Sequence, residues 1–279
     1  MKHFLDILGF DADFIHFLIQ RSVAFKENRF LSSVLAGKSV ALIFDKPSTR
    51  TRVSFEVGVQ QLGGTSVVLQ SDEVGLGQRE PIKDFSRVIS SYVDMAMIRT
   101  FEHERLIECS QFASIPIING LTDFSHPCQA VADMLTIYET FGSFKGLRFC
   151  YIGDANNVTR SLLEICYCLG IEFVLSSPTS QSFNSDLPFK VEPDPFKAVS
   201  QAHVVYTDTW VSMGESNKTL DMFQPYQVSL ELMSNAAKNA IFLHCLPAHR
   251  GDEVVDDVIE ANFSRVFDQA ENRLHAQKS

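Results

Sequence analysis

The chain has 279 residues, 45% of them hydrophobic and 21% charged, which excludes a disordered tail and, at roughly 100 to 200 residues per domain, predicts two domains. With 24 Lys and Arg against 34 Asp and Glu the formal charge is -10, so neither nucleic acid nor an acidic membrane is expected as a partner, and an anionic substrate must be captured by local basic groups. No stretch of ~18 uninterrupted apolar residues offers a membrane span, and residues 1–6 lack a leader's cleavage pattern, so a soluble cytoplasmic protein is expected.

Apolar residues at Phe14, Phe17, Leu18 and Phe25 fall at helical spacing behind a capping candidate, Asp11. Residues 39–44 are too few for a helix and too apolar for a one-sided sheet, and so predict a strand covered on both faces; 65–69, 94–98 and 115–118 read the same way. Helical patterns at 52–62, 81–93 and 101–112 lie between them, giving a β-α-β-α order and a parallel sheet. A long helix predicted over 126–141 leads into a second series, with strands at 148–152, 171–175, 203–207 and 240–244 and helices at 158–169, 195–201 and 230–238. Residues 176–195 carry four prolines and are the least ordered-looking stretch. After Gly251 two short helical runs close the chain. The fold class is α/β, two domains each built on a mainly parallel sheet flanked by helices.

Six cysteines, at 109, 128, 150, 166, 168 and 245, form no C-x-x-C pair and are expected to be reduced and mostly buried. Cys166 and Cys168 are two positions apart in a helical run and point to different faces, which argues against a structural metal.

Ligands of open α/β sheets sit at the carboxyl ends of strands, so the residues that follow strands carry the information. After the first strand comes Asp45-Lys46-Pro47-Ser48-Thr49-Arg50-Thr51-Arg52, leading into a helix. Free N–H groups at a helix start favour an anion, hydroxyls of Ser48, Thr49 and Thr51 donate further bonds, and Arg50 can grip two oxygens. The plain alternative is a capped helix start with solvated arginines. Other phosphate signatures fail: Gly37-Lys38-Ser39 lacks the upstream glycine of a P-loop, and the segment from Gly153 to Val158 lacks the further glycines of a dinucleotide fingerprint.

The run Ser48-Thr49-Arg50-Thr51-Arg52 resembles the carbamoyl-phosphate motif of the aspartate and ornithine carbamoyltransferase family. The resemblance extends to His126-Pro127-Cys128-Gln129, to Arg99 at a strand end and to Glu271-Asn272-Arg273 near the C-terminus. It implies that Ser48, Thr49, Arg50, Thr51, Arg99, His126, Gln129 and Arg273 bind carbamoyl phosphate, together with Cys245 and Leu246. In the second half, Asp208-Thr209-Trp210-Val211-Ser212-Met213-Gly214 and His244-Cys245-Leu246-Pro247 resemble the motifs of the ornithine-specific members. They imply an L-ornithine site made by Asn157, Asp208, Ser212 and Met213, with Arg99, His126, Asp208 and Cys245 in catalytic roles. The bland readings are a turn former for Asp208 and a small buried residue for Cys245. The implied domains are 1–125, joined by about 262–279, for carbamoyl phosphate, and 126–261 for ornithine. The implied reaction needs no metal or organic cofactor and belongs to arginine biosynthesis, and the implied assembly is a homotrimer or multiple of trimers. Gln78 lies in a glycine-rich loop that in the family reaches a neighbouring subunit.

Two alternatives stay open, and one departure from the family pattern stands beside them. The acceptor could be putrescine, an N-acylated ornithine or aspartate. The chain could be a non-catalytic anion sensor on the same fold. Arg160, a bulky cation three residues after Asn157, leaves the acceptor geometry in question.

Overall fold

The computed structural model describes residues 3–28, 33–180, 183–211 and 220–279. These form two compact units, Met1–Ala132 with Asn272–Ser279, and Asp133–Glu271.

In the first unit, α1 (Ala12–Asn28) precedes β1 (Ser39–Phe44), α2 (Thr49–Gln61), β2 (Thr65–Gln70), the single turn α3 (Ser71–Val74), α4 (Ile82–Tyr92), β3 (Met95–Arg99), α5 (His103–Phe112) and β4 (Ile117–Leu121). The four strands are parallel in the order β2-β1-β3-β4. Alternation along β1 and β3 explains their unbroken apolar sequences. Ala41, Ile43, Ala96 and Ile98 face one buried cluster with Leu106 and Ile117, while Val40, Leu42, Phe44 and Met97 face another with Phe55 and Val59. Each fully buried aliphatic or aromatic side chain there contributes about 1.5 to 3 kcal/mol, which holds the strand in register.

α6 (Pro127–Phe141) carries the chain into the second unit. There β5 (Arg148–Ile152), α7 (Asn157–Cys168), β6 (Glu172–Ser176), β7 (Lys190–Val191), the single turn α8 (Pro195–Ala198), β8 (Val204–Thr207), a 3-10 turn (Leu220–Tyr226), the single turn α9 (Leu230–Met233), β9 (Ile241–His244) and the single turn α10 (Asp256–Ile259) follow. α11 (Val266–Lys278) returns the chain to the first unit. The five strands are again parallel, in the order β7-β6-β5-β8-β9. The strand order reverses between β1 and β3 in one sheet and between β5 and β8 in the other, and crevices for ligands open at such points.

Several elements differ from the sequence reading. α2 begins at Thr49 rather than 52, because Ser48 caps it by accepting the Thr51 N–H. The helix read over 230–238 stops at Met233: Ser234 Oγ and Asn235 Nδ2 both donate to the Glu231 carbonyl, a local competition that ends the ladder. The 195–201 helix likewise closes early, with Gln201 at φ 61°. The stretch 176–195 contains the short strand β7, and the last helix has 13 residues, not the short run expected. The boundary between the two compact units falls inside α6, between Ala132 and Asp133, and inside α11, between Glu271 and Asn272.

Candidate active site

In the first unit the relevant groups gather at the carboxyl ends of β1, β3 and β4. Ser48 Oγ donates to Thr51 Oγ1 at 3.1 Å, and Arg99 Nη1, at the end of β3, reaches Thr51 Oγ1 at 3.5 Å. Thr49 and Arg50 stand exposed on the first turn of α2, where free N–H groups point outward. His126, immediately before α6, is buried with Arg99 and Arg273 as its charged neighbours. Burial first, then those two guanidinium groups, holds its imidazole well below the ordinary range, so it is neutral at pH 7. Arg273, buried on α11, donates Nη1 to Gln129 Oε1 at 2.5 Å. Two buried guanidinium groups beside His126, with the hydroxyl of Thr51 against Arg99, provide the kind of donors that a multiply charged anion requires, and Arg50 stands on the adjacent first turn of α2.

The second unit places an acid at the carboxyl end of β8. Asp208 is 8% exposed. Its Oδ1 accepts the Cys245 S–H at 3.0 Å and its Oδ2 accepts Asn156 Nδ2 at 3.1 Å. Burial and the adjacent carboxylate push the Cys245 thiol well up, so it serves as a neutral donor. Asn156 caps α7 through Oδ1, which accepts the Val158 and Thr159 N–H groups, and this leaves its amide hydrogens for Asp208. The turn before it requires Gly153, at φ 113°: a Cβ there would lie 3.2 Å from Thr207 Oγ1 and 3.3 Å from Trp210 Nε1. Behind Cys245, His244 accepts the Leu246 N–H on Nδ1 and therefore donates from Nε2 to Glu253 Oε1 at 3.0 Å, both side chains fully buried.

Among the described residues one trio, Asp208, His244 and Cys245, offers ligand atoms within 4.8 Å of one another. Both ring nitrogens of His244 are engaged by Leu246 and Glu253, so the arrangement serves hydrogen bonding and leaves no imidazole lone pair for a cation.

The structure thus groups Ser48, Thr49, Arg50, Thr51, Arg99, His126, Gln129 and Arg273 in one unit, and Asp208, Cys245 and Leu246 in the other. Asn157 opens α7 one residue beyond the amide that touches Asp208. Ser212 and Met213 lie outside the described residues. Arg160 turns toward the following loop, donating to the Asn184 carbonyl at 2.8 Å and lying 5.6 Å over the Phe183 ring. The sequence reading passed over Asn156, Tyr206, Glu253 and Gln269. For Asn156 the signal was present as an Asn-x-x-Thr cap before an apolar helix; Tyr206 and Gln269 meet through a contact 63 residues apart, and Glu253 meets His244 across a buried turn that no local pattern marks.

Residues 2–139 match the family described as aspartate/ornithine carbamoyltransferase, carbamoyl-P binding domain, and residues 145–279 match its Asp/Orn binding domain. The chain belongs to the aspartate/ornithine carbamoyltransferase family. It is 46% identical to the ornithine carbamoyltransferase of Anoxybacillus flavithermus over all of this chain and 95% of that one. It is 46% identical to the enzyme of the same name from Methanothermobacter thermautotrophicus, covering 100% and 97%. The solved ornithine carbamoyltransferase of Pyrococcus furiosus superposes with a TM-score of 0.94 at 41% identity, covering 99% of this chain and 95% of that one. Membership accounts for the two parallel sheets, each with functional groups at its switch point.

Proposed function

We propose that this protein transfers the carbamoyl group of carbamoyl phosphate to the δ-amino group of L-ornithine, giving L-citrulline and phosphate. The observation that carries the reading is the Asp208–Cys245 pair with Asn156, a buried carboxylate flanked by neutral donors, in a chain 46% identical along its whole length to ornithine carbamoyltransferases. The proposed donor site is Ser48, Thr49, Arg50, Thr51, Arg99, His126, Gln129 and Arg273. The proposed acceptor site is Asp208, Cys245 and Asn157 with Ser212 and Met213, and Leu246 contributes its backbone.

The reaction makes two physical demands. An alkylammonium titrates near ~10.4, so presenting the neutral amine at pH 7 costs roughly 4 to 5 kcal/mol. Asp208 receives the ammonium and takes one proton from it, relaying that proton to solvent and leaving the neutral amine. Attack on the carbamoyl carbon then places negative charge on its oxygen. Thr51, Arg99 and a neutral His126 donate to that oxygen, each such donor being worth about 3 to 4 kcal/mol of barrier. As the C–O bond to phosphate breaks, the second proton of the attacking nitrogen passes to the departing phosphate, and Arg50, Arg273 and the α2 N-terminus neutralise the resulting dianion. The chemistry calls on no cofactor.

Steady-state assays at fixed carbamoyl phosphate test this across ornithine, N-acetylornithine, putrescine and aspartate. Citrulline formation with ornithine as the preferred acceptor is expected; preference for another amine overturns the substrate assignment, and phosphate binding without any product overturns catalysis. N-acetylornithine belongs in the panel because an N-acetyl-L-ornithine transcarbamylase superposes with a TM-score of 0.88 at 29% identity, covering 100% of this chain and 98% of that one. The same reading places the protein in the cytoplasm, in arginine biosynthesis, as a homotrimer or multiple of trimers. No helix among the described residues is long and apolar enough to cross a membrane, and the chain's net charge of -10 disfavours nucleic acid.

A further inference from the structure

Between the end of β1 and the cap of α2 stand Asp45 and Lys46, two oppositely charged residues to which the proposed mechanism gives no part. Each reaches another strand end of the same unit. Asp45 donates its N–H to the Arg99 carbonyl at 2.9 Å, and its Oδ2 accepts the Thr100 hydroxyl at 3.0 Å, which ties down the chain just after β3. Lys46 reaches the turn after β4. Its Nζ donates to Asp123 Oδ1 at 2.9 Å and lies 4.7 Å from the centre of the Phe101 ring. Asp123 in turn donates its N–H to the Phe101 carbonyl at 2.8 Å. The same turn is closed by the Thr122 N–H on the Ser125 carbonyl at 2.9 Å, and it delivers His126 to the start of α6.

The ion pair is lopsided: the Lys46 side chain is 8% exposed and that of Asp123 58%. A pair with one partner in water adds little to stability, and ordering a long lysine stem opposes even that gain. A methionine would fill the same space with no charge to desolvate. What the ion pair adds is direction, because a buried ammonium aimed at one carboxylate fixes the turn that carries His126 relative to the turn that carries Ser48 to Thr51. We propose that Lys46 is a positioning residue for the donor site, holding the 122–126 turn through Asp123 so that His126 and the first turn of α2 address one anion. The inference rests on the reading of these groups as the carbamoyl-phosphate site and needs nothing of the acceptor.

Lys46→Met keeps the stem and deletes the charge, Asp123→Asn deletes the partner's charge at an exposed position, and the double variant closes the cycle. Binding of inorganic phosphate is measured by calorimetry at constant ionic strength, with urea unfolding of each chain alongside. Each single variant should bind phosphate roughly three- to tenfold more weakly, about one net hydrogen bond. The double variant should bind no more weakly than Lys46→Met, and Lys46→Arg, which keeps the pair, should recover most of the affinity. The direction of change in Asp123→Asn separates positioning from direct contact. A lysine that touched the anion itself would be released by loss of the carboxylate, so tighter phosphate binding in Asp123→Asn overturns the proposal. Losses that add in the double variant overturn it too, as does weaker binding confined to variants already partly unfolded under the assay conditions. Parental affinity in both single variants overturns the positioning role alone, whereas a parent chain that binds no phosphate overturns the donor site and the positioning role together.

Discussion

Asp208 and Arg50 have the same apparent credentials, a charged side chain after a strand, yet opposite surroundings. Asp208 is buried and holds two neutral donors, whereas Arg50 is exposed on a helix start. Asp208→Asn keeps the shape and deletes the charge, so ornithine turnover should fall about 10²- to 10³-fold, as when one partner of a desolvated charge pair is lost. Phosphate affinity measured by calorimetry should hardly change. Arg50→Ala should weaken phosphate binding by about tenfold or more, the loss of one charge-assisted contact; unchanged affinity would remove Arg50 from the site. His126 yields a pH prediction. Its pKa in the folded chain lies below the unfolded value near 6.5, so the unfolded state binds the extra proton first. Its contribution is neutral above about pH 6.5, and stability is lost as pH falls below that value, by at most about 1.4 kcal/mol per pH unit. Urea unfolding near pH 7.5 and 5.5 should show a shallower loss in His126→Asn than in the parent chain. Equal slopes would sink the argument.

At the level of elements, functional groups are aimed by helix starts and strand ends. Ser48 caps α2 and so brings Thr49, Arg50 and Thr51 onto its first turn, and Asn156 caps α7 and so turns its amide to Asp208. Gly153 connects the second pair of elements at a φ that only glycine adopts comfortably. Gly153→Ala should destabilise the chain by about 1 to 3 kcal/mol through backbone strain. The displaced Thr207 hydroxyl, which donates to the Ile152 carbonyl at 2.7 Å, should carry Asp208 with it and raise KM for ornithine. A denaturation midpoint equal to that of the parent would show that the turn relaxes freely. The cap at Ser48 was visible as a motif but its extent was not: a start at 52 was read from the apolar periodicity, which begins after the capping turn that carries the chemistry. The early end at Met233 was hidden for a related reason, because Ser234 and Asn235 compete for the Glu231 carbonyl through side chains whose direction only the folded turn defines.

For the whole molecule, the two units repeat one solution, a parallel sheet with its switch point dressed in polar side chains, and each handles opposite charge. The first gathers guanidinium groups and the second gathers a carboxylate. The proposed trimer predicts that sedimentation at working concentration gives a single species of three chain masses or a multiple of that; a concentration-independent monomer with full activity would dismiss it. Helices α6 and α11 each contribute to both units, a division invisible to hydropathy because neither helix breaks where its packing partner changes.

Periodicity and strand composition were enough by themselves to predict two parallel α/β sheets, and the run Ser48 to Arg52 marked a candidate anion cradle, whereas the roles proposed for His126, Asp208 and Cys245 came from the family resemblance. These are local properties: strand apolarity, helix starts and the chemistry of short motifs are written in neighbouring residues. Which amide touches Asp208, which nitrogen of His244 carries its proton, and that Gln269 meets Asp133 and Tyr206 were decided only by the tertiary structure. The contacts of Asp208 with Asn156 and Cys245, and of Gln269 with Asp133 and Tyr206, join residues 37 to 136 positions apart, and the His244 tautomer follows from the Leu246 N–H and the Glu253 carboxylate that the folded turn brings to its ring.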